Sequence, residues 1–414
     1  MNTHRSFSSS QGLHSKLSLW KAAAASVLFS LATLGAISAN ATPATWVVDD
    51  LGDSTPAPAH HTLRTAVAAA APGDFIEFSQ SAFAGNLPKT LILTKGTITI
   101  AKDLTIVGPG DGATNHVPML QIEGNGTSRV FQINSPATVT LSGLGIRKGY
   151  GAGGGGVLVA PGARLNLIEC DLTDCTASGK NAGGAVLNQG SLLIDLCLIA
   201  RNKAYDGGGI ASTGNLQITR SLIQGNVAAN DGGGIHSGAA PFTMESSTVS
   251  DNKAGTGGGI VVVASGKTQG LATLTAATVV GNRAYAQSGG LYVEGSAALA
   301  KVGGSLFTNN LVVKDDDCAD ADKTPRDLAV QKSGKISSTD YNLVSKPGGT
   351  FSPYGAHDQY NVDPLIGALA YNGGRTQTYL PAQSSLAIGR GNPAFAGLLV
   401  PTDQRGFPRT SPQP

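Results

Sequence analysis

The chain has little of what usually holds a compact domain together. Aromatics make up 5% and charged residues 14% of its 414 residues. Four cysteines (Cys170, Cys175, Cys197 and Cys318) are too few for a disulfide scaffold at this length, so stability has to come from packing. A net charge of +2 with no basic block argues against nucleic acid as a partner. Beyond the first forty residues no run is long and apolar enough to suggest a membrane span in the mature chain. What is present in excess is glycine: 56 residues, about twice the ordinary share.

The N-terminus reads as a signal peptide over 1–41. Basic residues His4, Arg5, Lys16 and Lys21 precede the mostly apolar run from Ala22 to Ile37, and Ala39-Asn40-Ala41 offers a cleavage site. Export follows, to an extracellular or outer-surface location, with a mature chain beginning near Thr42.

Self-similarity is the strongest signal. Val157, Val186, Ile210, Ile235, Ile260 and Leu291 each follow a glycine pair or run, as in Gly208-Gly209 and Gly233-Gly234, at steps of 29, 24, 25, 25 and 31 residues. A second anchor follows each of the first five, at Cys175, Asn202, Asn226, Asn252 and Asn282, with a blurred sixth copy at Asn309-Asn310. Three residues before the anchors stand Leu172, Ile199, Ile223, Val249 and Val279; five before stand the small Cys170, Cys197, Ser221, Ser247 and Ala277. Eight and ten before are further apolar pairs such as Leu165/Leu167 and Leu192/Ile194. Steps of two are β alternation with one apolar face, and the odd step from eight to five calls for a bend. Such a unit buries its apolar side only when another stacks on it. The pattern therefore predicts an all-β fold, a right-handed single-stranded parallel β-helix of roughly 24–30 residues per coil, of the pectin lyase-like kind. Its asparagines are expected to form a ladder at a left-handed turn, its glycines to supply positive φ and close approach. Gly151 to Gly156 lack the Lys-Ser/Thr ending of a phosphate loop and belong to the same repeat.

The division expected is a cap over 42–78 with a helix at 62–71, the β-helix over 79–314, and a terminal coil, loops and tail over 315–414. Leu63, Ala66, Val67 and Ala70 would line one face of that helix. Earlier strands are expected at Leu91–Leu93, Ile98–Ile100, Leu104–Val107, Val130–Ile133 and Val139–Leu141. The tail either packs along the last coils or forms a small module of its own.

These residues carry a resemblance. Val47 to Asp53, His61 to Ala66 and Pro72 to Phe78 resemble the N-terminal motif of CSLREA-type bacterial surface proteins, with His61 and Thr65 standing where that family has Cys and Glu. Asp363 to Gly367, Asn372 to Thr378 and Thr402 to Arg409 look like the choice-of-anchor Q domain, with Gly389 in place of an Asp; Asp317-Cys318 and Tyr341-Asn342-Leu343 fit it too. The central coils are similar to repeats of polymorphic outer-membrane proteins. The resemblance implies an exported β-helix at a bacterial surface and brings no defined catalytic site.

Candidate chemistry is sparse. Asp206 and Asp231 precede equivalent glycine runs and should stack, and His236 should point outward between Ala211 and Val261; these three are the candidate catalytic groups beside a plain surface reading. Lys203, Lys253 and Arg283 follow ladder asparagines and could form a basic strip for polysaccharide. Asp315, Asp316, Asp317 and Asp320, with Asp322, are the candidate metal ligands, Ca²⁺ being the cation they would suit, though they lack EF-hand geometry. His60-His61 reads as loop. Cys170 and Cys197 share a repeat position on adjacent coils, ~4.8 Å apart, within disulfide reach. No cofactor is expected. The functional expectation is a monomeric, non-catalytic surface protein in adhesion or polysaccharide contact. The other reading is a lyase, hydrolase or epimerase acting on an acidic glycan, which would need three or more carboxylates with a Lys or Arg in one groove. A self-transporting outer-membrane protein would need terminal ~10-residue alternating strands, absent from this Pro-rich end.

Overall fold

The computed structural model describes residues 42–54, 60–83, 87–112, 116–238, 240–264, 268–314, 324–348, 354–392 and 401–409. From Pro43 onward they belong to one unit. One coil shows the plan. Val157–Val159, Arg164–Ile168, Asp171–Thr173 and Thr176–Ala177 are four short strands in chain order, and each pairs in parallel with its counterpart a coil later. Stacking coils generates four sheets. The first, through Val157–Val159, has nine strands among the described residues; the second and third, through Arg164–Ile168 and Asp171–Thr173, have eleven each; the fourth, through Thr176–Ala177, has eight. All four run parallel except at Leu311–Val312 with Thr324–Pro325. The structure is a parallel β-solenoid, as the repeat predicts.

The register follows the repeat residue for residue. Val157, Val186, Ile210, Ile235, Ile260 and Leu291 stack in one row of the first sheet and continue to Leu328. The pairs eight and ten before the anchors fill the core from the second sheet, and Leu172, Ile199, Ile223, Val249 and Val279 from the third. The bend between them is a left-handed residue at the same place in every coil: Glu169, Leu196, Arg220, Ser246 and Ala276 have φ between 47° and 54°.

The ladder forms, with one correction. Asn202, Asn226, Asn252, Asn282 and Asn310 are fully buried, and each Oδ1 accepts from the backbone N–H of the preceding anchor at 2.9–3.1 Å. The left-handed backbone belongs to the residue before each one: Arg201 (φ 57°), Gly225, Asp251 (φ 56°), Gly281 and Asn309 (φ 56°). That settles the sixth copy: Asn309 turns the chain and Asn310 joins the ladder. Cys175 N–H starts the stack and Asp327 ends it, its Oδ1 accepting from Asn310 Nδ2 at 2.7 Å. The glycine runs likewise divide their work. Gly207 and Gly232 take positive φ, whereas a Cβ on Gly208, Gly209, Gly233 or Gly234 would stand within 2.7 Å of a carbonyl oxygen on the next coil.

The position five before each anchor, read as small core filling, is a second ladder. Cys197 N–H donates to Ser221 Oγ at 3.0 Å, Ser221 N–H to Ser247 Oγ at 3.1 Å and Ala277 N–H to Ser305 Oγ at 3.0 Å. Cys170 and Cys197 belong to it as thiols, Cys197 Sγ accepting from Cys170 N–H at 3.4 Å. Cys318 lies outside the described residues.

At the N-terminal end, Thr62 caps a helix over Leu63–Ala69, buried through Leu63, Ala66 and Val67 against the core that holds Val48 and Ile76. Asp53 ties this end down: it takes Arg64 Nε at 2.7 Å and Nη2 at 3.0 Å, with the Thr94 and Lys95 N–H groups at 2.7 and 2.8 Å. Strands Thr45–Val48, Asp74–Phe78 and Leu120–Glu123, not among those expected, also join the stack.

Beyond the repeat, Leu328–Gln331, Lys335–Ser338, Leu343–Val344 and Gln359–Tyr360 prolong three of the sheets, in the segment where a terminal coil and loops are expected. The tail then turns back as a hairpin, Ile366–Ala370 with Thr378–Pro381, and lies along the middle coils rather than the last ones. Arg375 reaches the left-handed corners directly, donating to Glu169 O at 2.8 Å and Leu196 O at 2.9 Å while pairing with Asp111 and Asp171 at 2.9 and 3.0 Å. Thr376 meets Arg220 O, and Gln404 accepts from Thr248 Oγ1 at 2.7 Å. These contacts reach the outward row Asp171, Leu198, Leu222 and Thr248 of the third sheet, of which Asp171, Leu222 and Thr248 are buried.

Burial pushes the Asp171 carboxyl up to about 6, against the pull of Arg375, and neighbouring Asp111 adds to the rise. A carboxyl whose pKa is raised on folding adds stability that is full below its unfolded value and gone once pH climbs past the folded one. The advantage of wild type over Asp171→Asn should therefore shrink by about 2 kcal/mol between about pH 4.5 and about pH 7.5. Urea unfolding of both proteins at the two pH values reads this directly, and a flat difference would show that Asp171 ionises freely.

Candidate functional site

Two outward features lie side by side where the fourth sheet turns into the first. On the fourth sheet Lys203, Val227, Lys253 and Arg283 occupy one row, so the expected basic strip exists with Val227 interrupting it. The residue after each points inward as Ala204, Ala228, Ala254 or Ala284, and the next faces out again. Lys203 and Arg283 are exposed; Lys253 leans over the Tyr285 ring, its Nζ 5.1 Å from the centroid. Tyr285 remains 40% exposed. A matching pair stands nearer the N-terminus, Lys180 Nζ over the Tyr205 ring at 5.9 Å.

At the turn that follows, Asp206 and Asp231 are adjacent as expected: Asp206 Oδ1 accepts the Asp231 N–H at 3.1 Å and Asn230 Nδ2 at 2.9 Å. Thr256 pairs with Asp231 on the next coil. Burial raises the Asp231 pKa; His236 opposes that, and Asp206 and Glu294 reinforce it. His236 stacks between Ala211 and Val261, the place read from sequence, yet it is largely buried rather than exposed, and burial lowers its pKa.

Sequence reasoning missed the rest of this face. Tyr292 lies two coils beyond His236 in the same outward row, 2% exposed, its hydroxyl donating to Glu294 Oε2 at 2.8 Å. Burial and that bond raise the Tyr292 pKa. Lys332 closes on Glu294 and holds its carboxyl low. Glu294 adds to the rise at Asp231, and Lys332, raised chiefly by its bond to Glu294, also feels Asp231. The available signal was positional: Tyr292 follows its glycine pair as His236 does. The groups are strung along the axis over several rungs, and no set of three His, Cys, Asp or Glu among the described residues converges to hold a metal.

The other candidates fare differently. Asp315, Asp316, Asp317, Asp320 and Asp322 lie outside the described residues. His60 is engaged by Asp49, Nδ1 to Oδ2 at 2.7 Å, and His61 packs edge-on against Trp46.

A family model described as the right handed beta helix region matches residues 119–273 and 155–319. The match spans the central coils and agrees with the parallel β-solenoid of the structure. Among solved structures, one described as "Crystal structure of pectate lyase Pel9A" aligns over 90% of this chain and 89% of its own, at 14% identity and a TM-score of 0.45. No curated protein matches the sequence. No helix among the described residues is long and apolar enough to cross a membrane.

Proposed function

We propose that this β-helix protein is exported to a bacterial surface and contacts polysaccharide there without cleaving it. The observation that carries the reading is the register row of Lys203, Lys253 and Arg283, which spreads cationic groups along one long wall. The signal-like N-terminus and the CSLREA and choice-of-anchor Q resemblance support the location, and adhesion is the role that suits such a wall. Removing all three charges in Lys203→Ala/Lys253→Ala/Arg283→Ala should weaken retention on a polysaccharide panel by about tenfold, as expected from exposed charges each worth well under 1 kcal/mol. Thermal unfolding should stay unchanged. If no polysaccharide is retained by the intact chain, the reading is wrong.

A second reading rests on the Asp231, Glu294 and Lys332 field: acid–base chemistry on a bound glycan. It predicts chain shortening or unsaturated ends in the same assay, lost in Asp231→Asn. Release of such products would replace the non-catalytic reading.

A further inference from the structure

The geometry points to a defined ligand class and pose: a polyanionic glycan, a polyuronate being the simplest, lying along the helix axis on the fourth sheet between two lysine–tyrosine posts. This rests on the polysaccharide reading above and narrows it. The outer row two residues beyond Lys203, Val227, Lys253 and Arg283 consists of Tyr205, Ala229, Gly255 and Tyr285. Aromatic posts thus stand three rungs apart, about 14 Å at the strand spacing, with an alanine and a glycine as the floor between them. Neither floor residue projects beyond a methyl group, so a ribbon-like polymer can lie flat there. Each post has an ammonium over its ring, Lys180 on Tyr205 and Lys253 on Tyr285. A pyranose offers C–H groups to an aromatic ring, and a uronate offers a carboxylate to the neighbouring ammonium; the two together select a charged sugar over a neutral one. Lys203 and Arg283 extend the positive edge to both ends of the trough. At the turn beyond the trough, Asp206 is already bonded to Asn230 Nδ2 and the Asp231 N–H. Because the row runs parallel to the axis, ligand length should matter.

Alginate oligosaccharides of graded length, and the same chains with carboxylates reduced to alcohols, test this by calorimetry on the full chain. Affinity should climb with length and level off once a chain spans both posts, while the reduced chains bind at least tenfold more weakly. Tyr285→Ala should weaken the long oligosaccharides severalfold and leave the shortest unaffected. Ala229→Glu, on the exposed floor, should weaken charged chains alone. Unfolding curves of each variant confirm an intact fold. Equal binding of reduced chains would overturn the ligand class, and unchanged binding by both variants would overturn the pose; either leaves the broader reading standing. Equally tight binding of single-stranded polyuridylate would show a generic polyanion surface and overturn the glycan assignment. Failure of every polysaccharide to bind sinks both readings.

Discussion

Asn252→Ala should cost about 4 kcal/mol, because it opens the amide ladder at its centre. The Asn252 Oδ1 accepts from Asn226 N–H and Asn226 Nδ2, both at 2.9 Å, and its Nδ2 donates to Ile223 O at 3.0 Å and Asn282 Oδ1 at 2.9 Å. Alanine removes all four bonds at a fully buried position where water cannot substitute. Each buried group left without a partner costs ~1–3 kcal/mol, and part of the amide volume becomes a void. The Asn226 backbone N–H loses its acceptor, whereas its side-chain Nδ2 keeps the bond to Ile199 O at 2.9 Å. Ser247→Ala makes the informative comparison. That ladder already contains Ala277, so it tolerates a missing hydroxyl, and a loss of about 1 kcal/mol is expected there. Coils stabilise one another through neighbours, so a break at Asn252 should also loosen the coupling between the two halves of the stack. Denaturant unfolding followed by circular dichroism should show a lower midpoint and a broader or split transition. A change no larger than that of Ser247→Ala would mean that the ladder bonds add little beyond packing.

How much of this was legible in the sequence depends on whether a residue's role repeats. The stacked row from Val157 to Leu291 could be read directly, because each coil must present the same inward side chain at the same place. The bend six before each anchor could be located but not assigned, since Glu169, Leu196, Arg220, Ser246 and Ala276 share a φ and no chemistry. Asparagine was credited with the left-handed turn for the opposite reason: it suits that conformation, yet Arg201 and Asp251 adopt it so that the asparagine side chain can point inward. The face around Asp231 was half visible. Asp206, Asp231 and His236 sit at repeat positions, whereas Glu294 and Lys332 come from coils where the period had stretched or faded. Tail docking was not legible at all. Arg375 meets Glu169 and Asp111 across 206 and 264 residues, and no local pattern encodes a contact of that range.

That docking carries the second large prediction. Arg375→Ala should cost about 3–5 kcal/mol in the attachment of the tail, the range for removing one partner of a buried ion pair. The side chain is 9% exposed; it donates to two corner carbonyls and to Asp111, and forms an ion pair with Asp171. Alanine leaves the Asp171 carboxylate buried with its cation gone. Lysine cannot restore the arrangement, because a single ammonium lacks the planar fork that reaches both corners and both carboxylates, so Arg375→Lys should behave more like alanine than like wild type. The coils themselves keep their ladders and core, so the loss should appear as a detached tail rather than a collapsed solenoid. Limited proteolysis should then cut the variant between the last coil and the tail at protease levels that leave wild type whole, while the main unfolding transition moves little. Adding Asp171→Asn to Arg375→Ala removes the uncompensated charge and should recover part of the protection. Equal protection of wild type and Arg375→Ala would place the tail's hold elsewhere, in the Thr376 and Gln404 contacts with Arg220 and Thr248.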